Sequence, residues 1–227
     1  MKRGGPVAGV VLAAGGSSRM GVPKALLDAG GMTFASRLVE TLARGGCHPV
    51  VVVGSSGAGG LAEEVERGSG ELIVNPGGAG GQIGSLCKAL DHLGGLTDPP
   101  AAVAFTPVDN PAVAPATVRA LLEAWRRSRA AIVLPRCRGR RGHPVVADMS
   151  IAGEFRDEGL PDGARTVVRR DPGRVLALEV DDPGVLDDLD TPARHRARFP
   201  GTPPATAPPG SPANRDTGPG PRRETTA

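Results

Sequence analysis

The sequence predicts an α/β fold in which one doubly wound, mostly parallel sheet carries helices on both faces. Short runs rich in valine, isoleucine and leucine alternate with longer stretches of helical period through the first 199 residues. Strands with continuous apolar runs are typical of parallel sheets that are buried on both faces, and intervening helices complete the pattern. A chain of about 200 residues is also long enough for one domain with a substantial core.

Seven strands are predicted, each from a short run of apolar side chains: Val7–Ala13, Val50–Gly54, Leu72–Asn75, Ala101–Thr106, Ala130–Leu134, Val145–Ala147 and Val175–Val180. Five helices are predicted between them: Phe34–Arg44, Leu61–Arg67, Ile83–Leu93, Ala116–Arg127 and Arg165–Arg170. Ligands of such sheets bind at the carboxyl ends of the strands. The loops after Ala13, Asn75 and Thr106 are therefore the places where we expect a site.

The end of the chain differs in composition from the rest. Residues 200–227 are rich in proline and contain no aliphatic side chain larger than alanine. Such a segment cannot offset its ordering entropy by burying apolar surface. We therefore predict one folded domain over residues 1–199, followed by a disordered Pro-rich C-terminal tail over residues 200–227.

Charge, aromatic content and cysteine spacing exclude several classes of protein. The net charge of +3 is too small to indicate a nucleic-acid binder, and an aromatic content of 2% offers no stacking platform for bases. The longest apolar runs fall far short of the ~20 residues of a membrane span. The three cysteines have neither metal-binding nor disulfide spacing. We expect a soluble, cytoplasmic protein with no membrane or nucleic-acid partner.

The loop after the first predicted strand combines glycines, hydroxyls and positive charges. It spans residues 14–24 and reads AGGSSRMGVPK. Glycines let backbone N–H groups turn toward an anion, and Arg19 and Lys24 add two cations, so the loop suits a phosphate. Its spelling matches neither a P-loop nor the GxGxxG dinucleotide fingerprint. The alternative is an ordinary glycine-rich surface turn.

The same loop resembles the LAAGxSxRMGxxK signature of the nucleotidyltransferases that transfer NMP from an NTP, and most of all the molybdenum cofactor cytidylyltransferases. The resemblance spans most of residues 7–199. Its other motifs follow in the family's order: Asn75-Pro76 with Gly81 and Ser85-Leu86, Asp109-Asn110-Pro111, Gly142-His143-Pro144-Val145, Asp162-Gly163-Ala164-Arg165 and Asp188-Leu189-Asp190-Thr191-Pro192.

The resemblance implies roles for individual residues. Arg19 holds the triphosphate, Lys24 neutralises charge developing near the α- and β-phosphates, and Asp109 binds Mg²⁺; these three are the catalytic residues. The second metal ligand is Asp188 or Asp190, of which Asp190 is favoured. The predicted nucleotide-binding residues are Leu12, Ala13, Ala14, Gly15, Gly16, Ser17, Ser18, Arg19, Lys24, Gly81 and Ser85. Two carboxylates have alternative roles, because Asp109 can cap the turn before Pro111 and Asp190 can precede a helix start.

The resemblance also implies the substrates. The Leu-Ala-Ala-Gly spelling is similar to that of the cytidylyl enzymes, whereas guanylyl enzymes usually show Leu-Ala-Gly-Gly, so CTP is favoured over GTP or another NTP. The acceptor would be molybdopterin or a similar phosphorylated molecule, bound at Gly142, His143 and Pro144, with a molybdoenzyme receiving the product. Seven arginines and no acidic residue between Arg126 and Arg141 suit an anionic acceptor or form a solvated face.

Two departures from the family pattern and three other functions remain open. Asn110 stands where the family often has methionine, so the residue between Asp109 and Pro111 could tune the acceptor. Gln82-Ile83 departs from the small or methionine residues expected beside Gly81. The other functions are transfer to a different phosphorylated small molecule, nucleotide binding by a regulator without catalysis, and weak nucleic-acid binding through the arginine run.

Overall fold

The structure is a computed structural model that describes residues 4–15, 23–55, 59–157 and 159–201. Within these ranges the strands are β1 (Val7–Leu12), β2 (Val50–Gly54), β3 (Glu71–Val74), β4 (Ala102–Pro107), β5 (Ile132–Cys137), β6 (Arg140–Arg141), β7 (Val145–Asp148) and β8 (Val175–Glu179). The α-helices are α1 (Phe34–Gly45), α2 (Leu61–Arg67), α3 (Gly81–Gly94), α4 (Pro115–Arg127), α5 (Ala164–Arg170) and α6 (Pro192–Arg198).

The strands form one mixed sheet. Strands β3, β2, β1 and β4 lie side by side and run parallel. Strand β7 is antiparallel to both β4 and β5, and β8 is parallel to β5. The carboxyl ends of β1 and β4 therefore lie together at one edge of the sheet, with Leu12 opposite Pro107. This edge is where the loops expected to bind nucleotide meet.

Both faces of the sheet are covered, as continuous apolar strands require. All side chains of β1, β2 and β4 are buried. On one face, Leu38 of α1 and Trp125 of α4 belong to the core; on the other, Leu90 of α3 packs with Phe105 and Phe155. The doubly wound fold predicted from the sequence is confirmed.

The predicted helices and strands are all present, with differences at their ends. Helix α2 has the predicted bounds, and α3 begins two residues earlier than expected. Strand β5 runs past Pro135 to Cys137, beyond its predicted end, because the short strand β6 pairs with it: Arg136 lies opposite Arg141. Strand β6 and the 3₁₀ helix over Met149–Arg156 were not predicted, and helix α6 was anticipated only as the possible helix start after Asp190.

Strands β6 and β7 are two parts of one chain segment, interrupted by residues 142–144. The Gly142 N–H still bonds to the Pro135 carbonyl, as a continuing strand would. The His143 N–H turns away and bonds to the Val185 carbonyl at 3.0 Å, and the His143–Pro144 peptide is cis. A Cβ on Gly142 would lie 2.2 Å from the Val185 oxygen, so the close approach requires glycine. The interruption thus joins the sheet to the C-terminal segment.

Two sequence predictions concern features beyond the folded core. None of the helices in the described ranges has the length and apolar character needed to cross a bilayer. The predicted domain end at residue 199 directly follows α6. Residues 202–227, most of the predicted tail, lie outside the described residues, so the domain boundary, the tail and the cytoplasmic location stay predictions.

One partly buried ion pair, between Arg174 and Glu154, makes the stability of the fold depend on pH. Arg174 donates to both carboxylate oxygens of Glu154, at 2.5 and 2.7 Å, and these hydrogen bonds hold the pKa of the Glu154 carboxyl below its usual range. A carboxylate with a depressed folded pKa adds stability above its unfolded pKa of about 4.3, and this stability is lost as pH falls through the folded value.

We therefore expect Glu154→Gln to lower the free energy of unfolding at pH 7 by up to about 1 kcal/mol. The deficit relative to wild type should shrink toward pH 3, because protonation breaks the same pair in the wild type. Urea unfolding at pH 7, 5 and 3 measures the difference. The control is Glu123→Gln, which removes the exposed pair with Arg127. An equal deficit for Glu154→Gln at all three pH values would contradict this account.

Candidate functional site

Lys24 and two carboxylates from distant parts of the chain meet at the carboxyl edge of the sheet. The Lys24 Nζ donates to Asp109 Oδ2 at 3.1 Å and to Asp190 Oδ1 at 2.5 Å. Lys24 begins a 3₁₀ helix in the loop after β1, and Asp109 lies two residues beyond β4. Asp190 immediately precedes Thr191, the N-cap of α6. Three chain segments thus place one ammonium between two carboxylates.

The charges at this cluster depend on one another. Burial raises the pKa of the Asp109 carboxyl above its ordinary value, and the Lys24 charge offsets only part of this rise. Burial alone would lower the pKa of Lys24, but hydrogen bonds and charges from Asp190 and Asp109 outweigh it and raise that pKa. The ammonium is therefore held charged. The Lys24 cation is what makes the partly buried Asp109 carboxylate tolerable here.

The donor set fits a magnesium ion that is bound together with phosphate. Within the described ranges, no group of three or more His, Cys, Asp or Glu side chains is arranged to hold a metal. Asp109 and Asp190 nevertheless converge closely enough to share one ammonium. Mg²⁺ prefers one or two carboxylates and takes its other ligands from phosphates and water. These two residues therefore suit Mg²⁺ brought with a nucleotide.

Asn110, next to Asp109, ties the metal motif to the C-terminal segment. Its side chain is fully buried, and its Nδ2 donates to the Asp187 carbonyl at 3.0 Å and to Asp188 Oδ1 at 3.1 Å. The Leu189 N–H bonds to the Asp109 carbonyl at 2.9 Å. The geometry thus brings Asp190 to Lys24 and uses Asp188 as a partner of Asn110. Asn110 points inward, whereas the sequence suggested that it tunes an acceptor.

The second loop, which follows β3 and carries the motif of Asn75, Gly81 and Ser85, is organised by the buried side chain of Asn75. Its Nδ2 donates to the Ala79 carbonyl and to Ser85 Oγ, both at 3.1 Å, and Ser85 Oγ donates to the Gly81 carbonyl. Ser85 is 1% exposed, so its hydroxyl stabilises the loop from inside the protein and is not accessible to a nucleotide base. Gly81 is exposed at the first residue of α3. Sequence reasoning noted Asn75 in a motif but gave it no role in the site.

The first and second loops touch at Ala14. A Cβ on Gly78 would lie 2.6 Å from the Ala14 carbonyl oxygen, so the two backbones are in direct contact. Leu12 and Ala14 are buried, Ala13 bonds through its N–H to the Val53 carbonyl, and Gly15 is exposed. These residues form the start of the predicted nucleotide loop. Gly16, Ser17, Ser18 and Arg19 lie outside the described residues.

His143 lines a pocket of about 260 Å³ beside β4 and β7. Its Nδ1 is buried with no hydrogen-bond partner among the described residues, and burial lowers the pKa of the imidazole to about 4, so the ring is neutral at pH 7. The adjacent Pro144 is buried. The pocket combines apolar walls with arginines; its lining residues are Phe105, Leu134, Arg141, Gly142, His143, Val145, Ala164, Arg165, Val168 and Arg169.

The arginine run does not form one surface. Arg127 pairs with Glu123 at the end of α4, and Arg136 pairs with Glu179 of β8. Arg138 and Arg140 line a different groove, of about 550 Å³, against α6. Within the run, Arg141 is the member that lines the pocket of His143. The pocket of His143 therefore contains fewer arginines of the run than their clustering in sequence suggested.

A family model described as the MobA-like NTP transferase domain matches residues 9–175. The chain belongs to this family. It is accordingly a nucleotidyltransferase of the MobA-like type, and the resemblance predicted from the motifs is confirmed at that level. The matched range includes Lys24, Asp109 and His143 but ends before Asp190, so the segment that carries the second carboxylate lies beyond it.

Three similar proteins carry different names. Nicotine blue oxidoreductase of Paenarthrobacter nicotinovorans is 34% identical over 193 residues, which cover 82% of this MobA-like chain and 92% of that protein. A probable molybdenum cofactor guanylyltransferase of Rhodopirellula baltica is 36% identical over 136 residues, or 57% of this chain and 60% of that protein. The structure of Rv0371c from Mycobacterium tuberculosis matches with a TM-score of 0.70 at 28% identity, covering 85% and 96% of the two chains.

The contact between Gly78 and Ala14 gives a matched pair of variants. Gly77 and Gly78 have nearly the same left-handed backbone, with φ of 62° and 65°, but a Cβ on Gly77 would meet nothing within 4 Å. We expect both alanine variants to lose roughly 1–2 kcal/mol of stability from the positive φ. Gly78→Ala should also push the two loops apart and raise the KM for NTP several-fold above that of Gly77→Ala. Equal KM values in the two variants would show that the contact has no part in nucleotide binding.

Proposed function

We propose that this MobA-like nucleotidyltransferase transfers CMP from CTP to the terminal phosphate of a molybdopterin-type acceptor and releases pyrophosphate. The observation that carries the proposal is the meeting of Lys24, Asp109 and Asp190 at the end of the glycine-rich loop. A loop for phosphates, a cation and two hard oxygen ligands at one point are what nucleotidyl transfer requires.

In the proposed reaction, an oxygen of the acceptor phosphate attacks the α-phosphorus of the nucleotide. The new bond joins that oxygen to the α-phosphorus, and the bond from the α-phosphorus to the bridging oxygen breaks, so pyrophosphate leaves. The chain's task is to position the two phosphates and to stabilise charge on the α-phosphate and leaving group. Lys24 supplies one fixed positive charge, and Arg19 is proposed to supply another.

Asp109 and Asp190 would hold the divalent ion of the reaction, proposed to be Mg²⁺. Bound there, the ion would neutralise phosphate oxygens and orient them for in-line displacement. Lys24 contributes in the nucleotide-free chain as well, because its ammonium bonds to both carboxylates and offsets part of the rise in the pKa of Asp109. The two carboxylates are thus held near each other before any nucleotide binds, which is the preorganisation that such catalysis needs.

The pocket that contains Gly142, His143 and Pro144 is proposed to bind the acceptor. Phe105 of β4 lies on its wall, and Asp109 follows four residues later on the same chain segment. Apolar walls suit a ring system, arginines suit an anionic group, and the unpartnered Nδ1 of His143 offers one directional hydrogen bond. A molybdopterin-type phosphate ester combines a ring system, an anionic group and polar atoms that can form such a hydrogen bond. A molybdoenzyme is proposed to receive the product.

The choice of CTP is the most specific part of the proposal, and it rests on the Leu-Ala-Ala-Gly sequence of residues 12–15. Two relatives that match just over half of the chain are named as guanylyltransferases, which supports GTP as the competing nucleotide. The base would lie near the contact of Ala14 with Gly78, with Gly81 at the start of α3 close by. Ser85 contributes by supporting this loop through its hydrogen bonds.

Removing the charges at the cluster should abolish most of the turnover. We expect Lys24→Ala and Asp109→Ala each to lower kcat for pyrophosphate release by ~10²–10³, because each removes a preorganised charge at the reacting phosphates. The controls are Lys88→Ala and Asp98→Ala, which remove exposed side chains of the same types elsewhere on the chain. Folded Lys24→Ala or Asp109→Ala protein with wild-type kcat would refute the assigned roles.

The nucleotide and acceptor are identified together by product analysis. The protein is incubated with Mg²⁺, molybdenum cofactor and each of the four NTPs, and products are identified by mass. We expect CTP to give the cytosine dinucleotide of the cofactor together with pyrophosphate. A guanine dinucleotide would correct the base, a product on another phosphorylated acceptor would correct the acceptor, and tight NTP binding without any pyrophosphate would favour a non-catalytic regulator.

A second candidate function comes from the name of the relative that matches 82% of this chain. That protein is named as an oxidoreductase acting on nicotine blue. The apolar pocket around His143 could hold a planar dye, but residues 14–24 lack the GxGxxG fingerprint of dinucleotide binding. Loss of nicotine blue absorbance with NADH or NADPH, unaffected by Lys24→Ala, would favour this second function.

A further inference from the structure

The C-terminal segment delivers the second carboxylate of the site, and α6 fixes its direction. Helix α6 begins two residues after Asp190, and Thr191 caps it by accepting a hydrogen bond from the Arg194 N–H. The orientation of α6 therefore determines the side from which Asp190 reaches Lys24. This segment lies outside residues 9–175, the range that the family model matches. Its contacts with the rest of the domain are therefore those of this chain.

His195 is the buried residue of α6, at 5% exposure, and it joins that helix to the loop that carries Lys24. Its Nε2 donates to the Asp28 carbonyl at 2.5 Å; the carbonyl can only accept, so this ring nitrogen carries the proton. Asp28 lies four residues after Lys24, and His195 lies five residues after Asp190. The contacts Lys24–Asp190 and Asp28–His195 therefore hold residues 24–28 and residues 190–195 together at both ends.

The segment over residues 24–28 is held in place near Asp28 by its own hydrogen bonds. The Gly31 N–H bonds to Asp28 Oδ1 at 2.6 Å, and Asp28 forms a β-bridge with Thr33. The Phe34 N–H, at the start of α1, bonds to the Leu27 carbonyl at 2.8 Å. The acceptor of the His195 hydrogen bond is thus anchored to α1 and does not simply follow the histidine.

Aromatic packing and one arginine extend this attachment to the loop of Asp109. The His195 ring lies 5.6 Å from Phe34 and 5.9 Å from Phe199, centroid to centroid. The Arg37 guanidinium lies 5.4 Å over the Phe199 ring and donates to the Pro111 carbonyl at 3.0 Å. His195 is therefore part of a packed unit that touches the loops of all three charged residues.

We propose that His195 is a positioning residue for Asp190: its hydrogen bond to the Asp28 carbonyl sets the separation of the Asp190 carboxylate from Lys24 and Asp109, and so sets the affinity of the site for its divalent ion. The inference rests on the proposed function, in which Asp190 is a metal ligand. Partners that orient a metal ligand without touching the metal typically change metal affinity or activity 10–100-fold when they are removed.

Two substitutions of His195 separate its hydrogen bond from its packing. His195→Phe keeps a ring among Phe34 and Phe199 but cannot donate, whereas His195→Gln loses the ring but can still donate an amide N–H to the Asp28 carbonyl. Arg196→Ala is the control, because Arg196 is the next residue of α6 and is exposed. Phe199→Leu loosens the packing and leaves the donor in place.

The experiment measures Mn²⁺ binding to each protein by electron paramagnetic resonance, with a saturating non-hydrolysable CTP analogue present, and then the Mg²⁺ dependence of pyrophosphate release. We expect His195→Phe to raise the Kd for Mn²⁺ and the Mg²⁺ concentration for half-maximal turnover about tenfold. The KM for NTP at saturating Mg²⁺ should stay near the wild-type value. His195→Gln, Phe199→Leu and Arg196→Ala should stay close to wild type in Mn²⁺ affinity.

The outcomes separate the inference from the proposed function. Wild-type Mn²⁺ affinity in folded His195→Phe overturns the positioning role, as does an equal loss in His195→Gln, which would show that only packing matters. If His195→Phe does not fold, the comparison of His195→Gln with Phe199→Leu decides: Mn²⁺ binding by the Gln variant as tight as by Phe199→Leu supports the role, and clearly weaker binding overturns it. If the variants show the expected Mn²⁺ affinities but no NTP gives pyrophosphate, the proposed transferase activity is refuted and the role of His195 is supported.

Discussion

One contact, the Lys24 ammonium between the carboxylates of Asp109 and Asp190, is the interaction on which the site depends. Its members lie 85 and 166 residues apart in the sequence, so no local structure could create it. Two carboxylates this close together would repel each other, and the burial of Asp109 would favour its neutral form. The ammonium makes the pair stable, and the geometry that results suits a polyphosphate with its metal.

The fold serves this contact by bringing three loops to one edge of the sheet. Strands β1 and β4 are adjacent and parallel, so the loops with Lys24 and Asp109 leave the sheet side by side. The third loop comes from the end of the chain and needs its own attachments. Asn110 and the Leu189 N–H hold it on one side, and His195 holds it on the other. The pocket of His143 joins the same segment, because the His143 N–H bonds to the Val185 carbonyl.

Much of the fold could be predicted because apolar strands and amphipathic helices leave local patterns. The motifs also predicted Lys24, Asp109 and Asp190 as neighbours. The exposed pair Arg140–Arg141 carries no strand pattern, and it is a strand because Cys137 and Arg136 lie opposite it. No sequence motif marks His195, because its partner is a backbone carbonyl. The inward directions of Ser85 and Asn110 depend on tertiary hydrogen bonds, which residue type alone does not reveal.

The central claim is that one polyphosphate binds against Lys24 with its metal on Asp109 and Asp190. A crystal structure with Mn²⁺ and a non-hydrolysable CTP analogue tests this directly, because Mn²⁺ is located by its anomalous scattering. The account predicts the metal on both carboxylates and the Lys24 Nζ in contact with a phosphate oxygen. A nucleotide bound elsewhere on the domain, with Lys24 still paired to the two carboxylates and the metal absent from them, would contradict it.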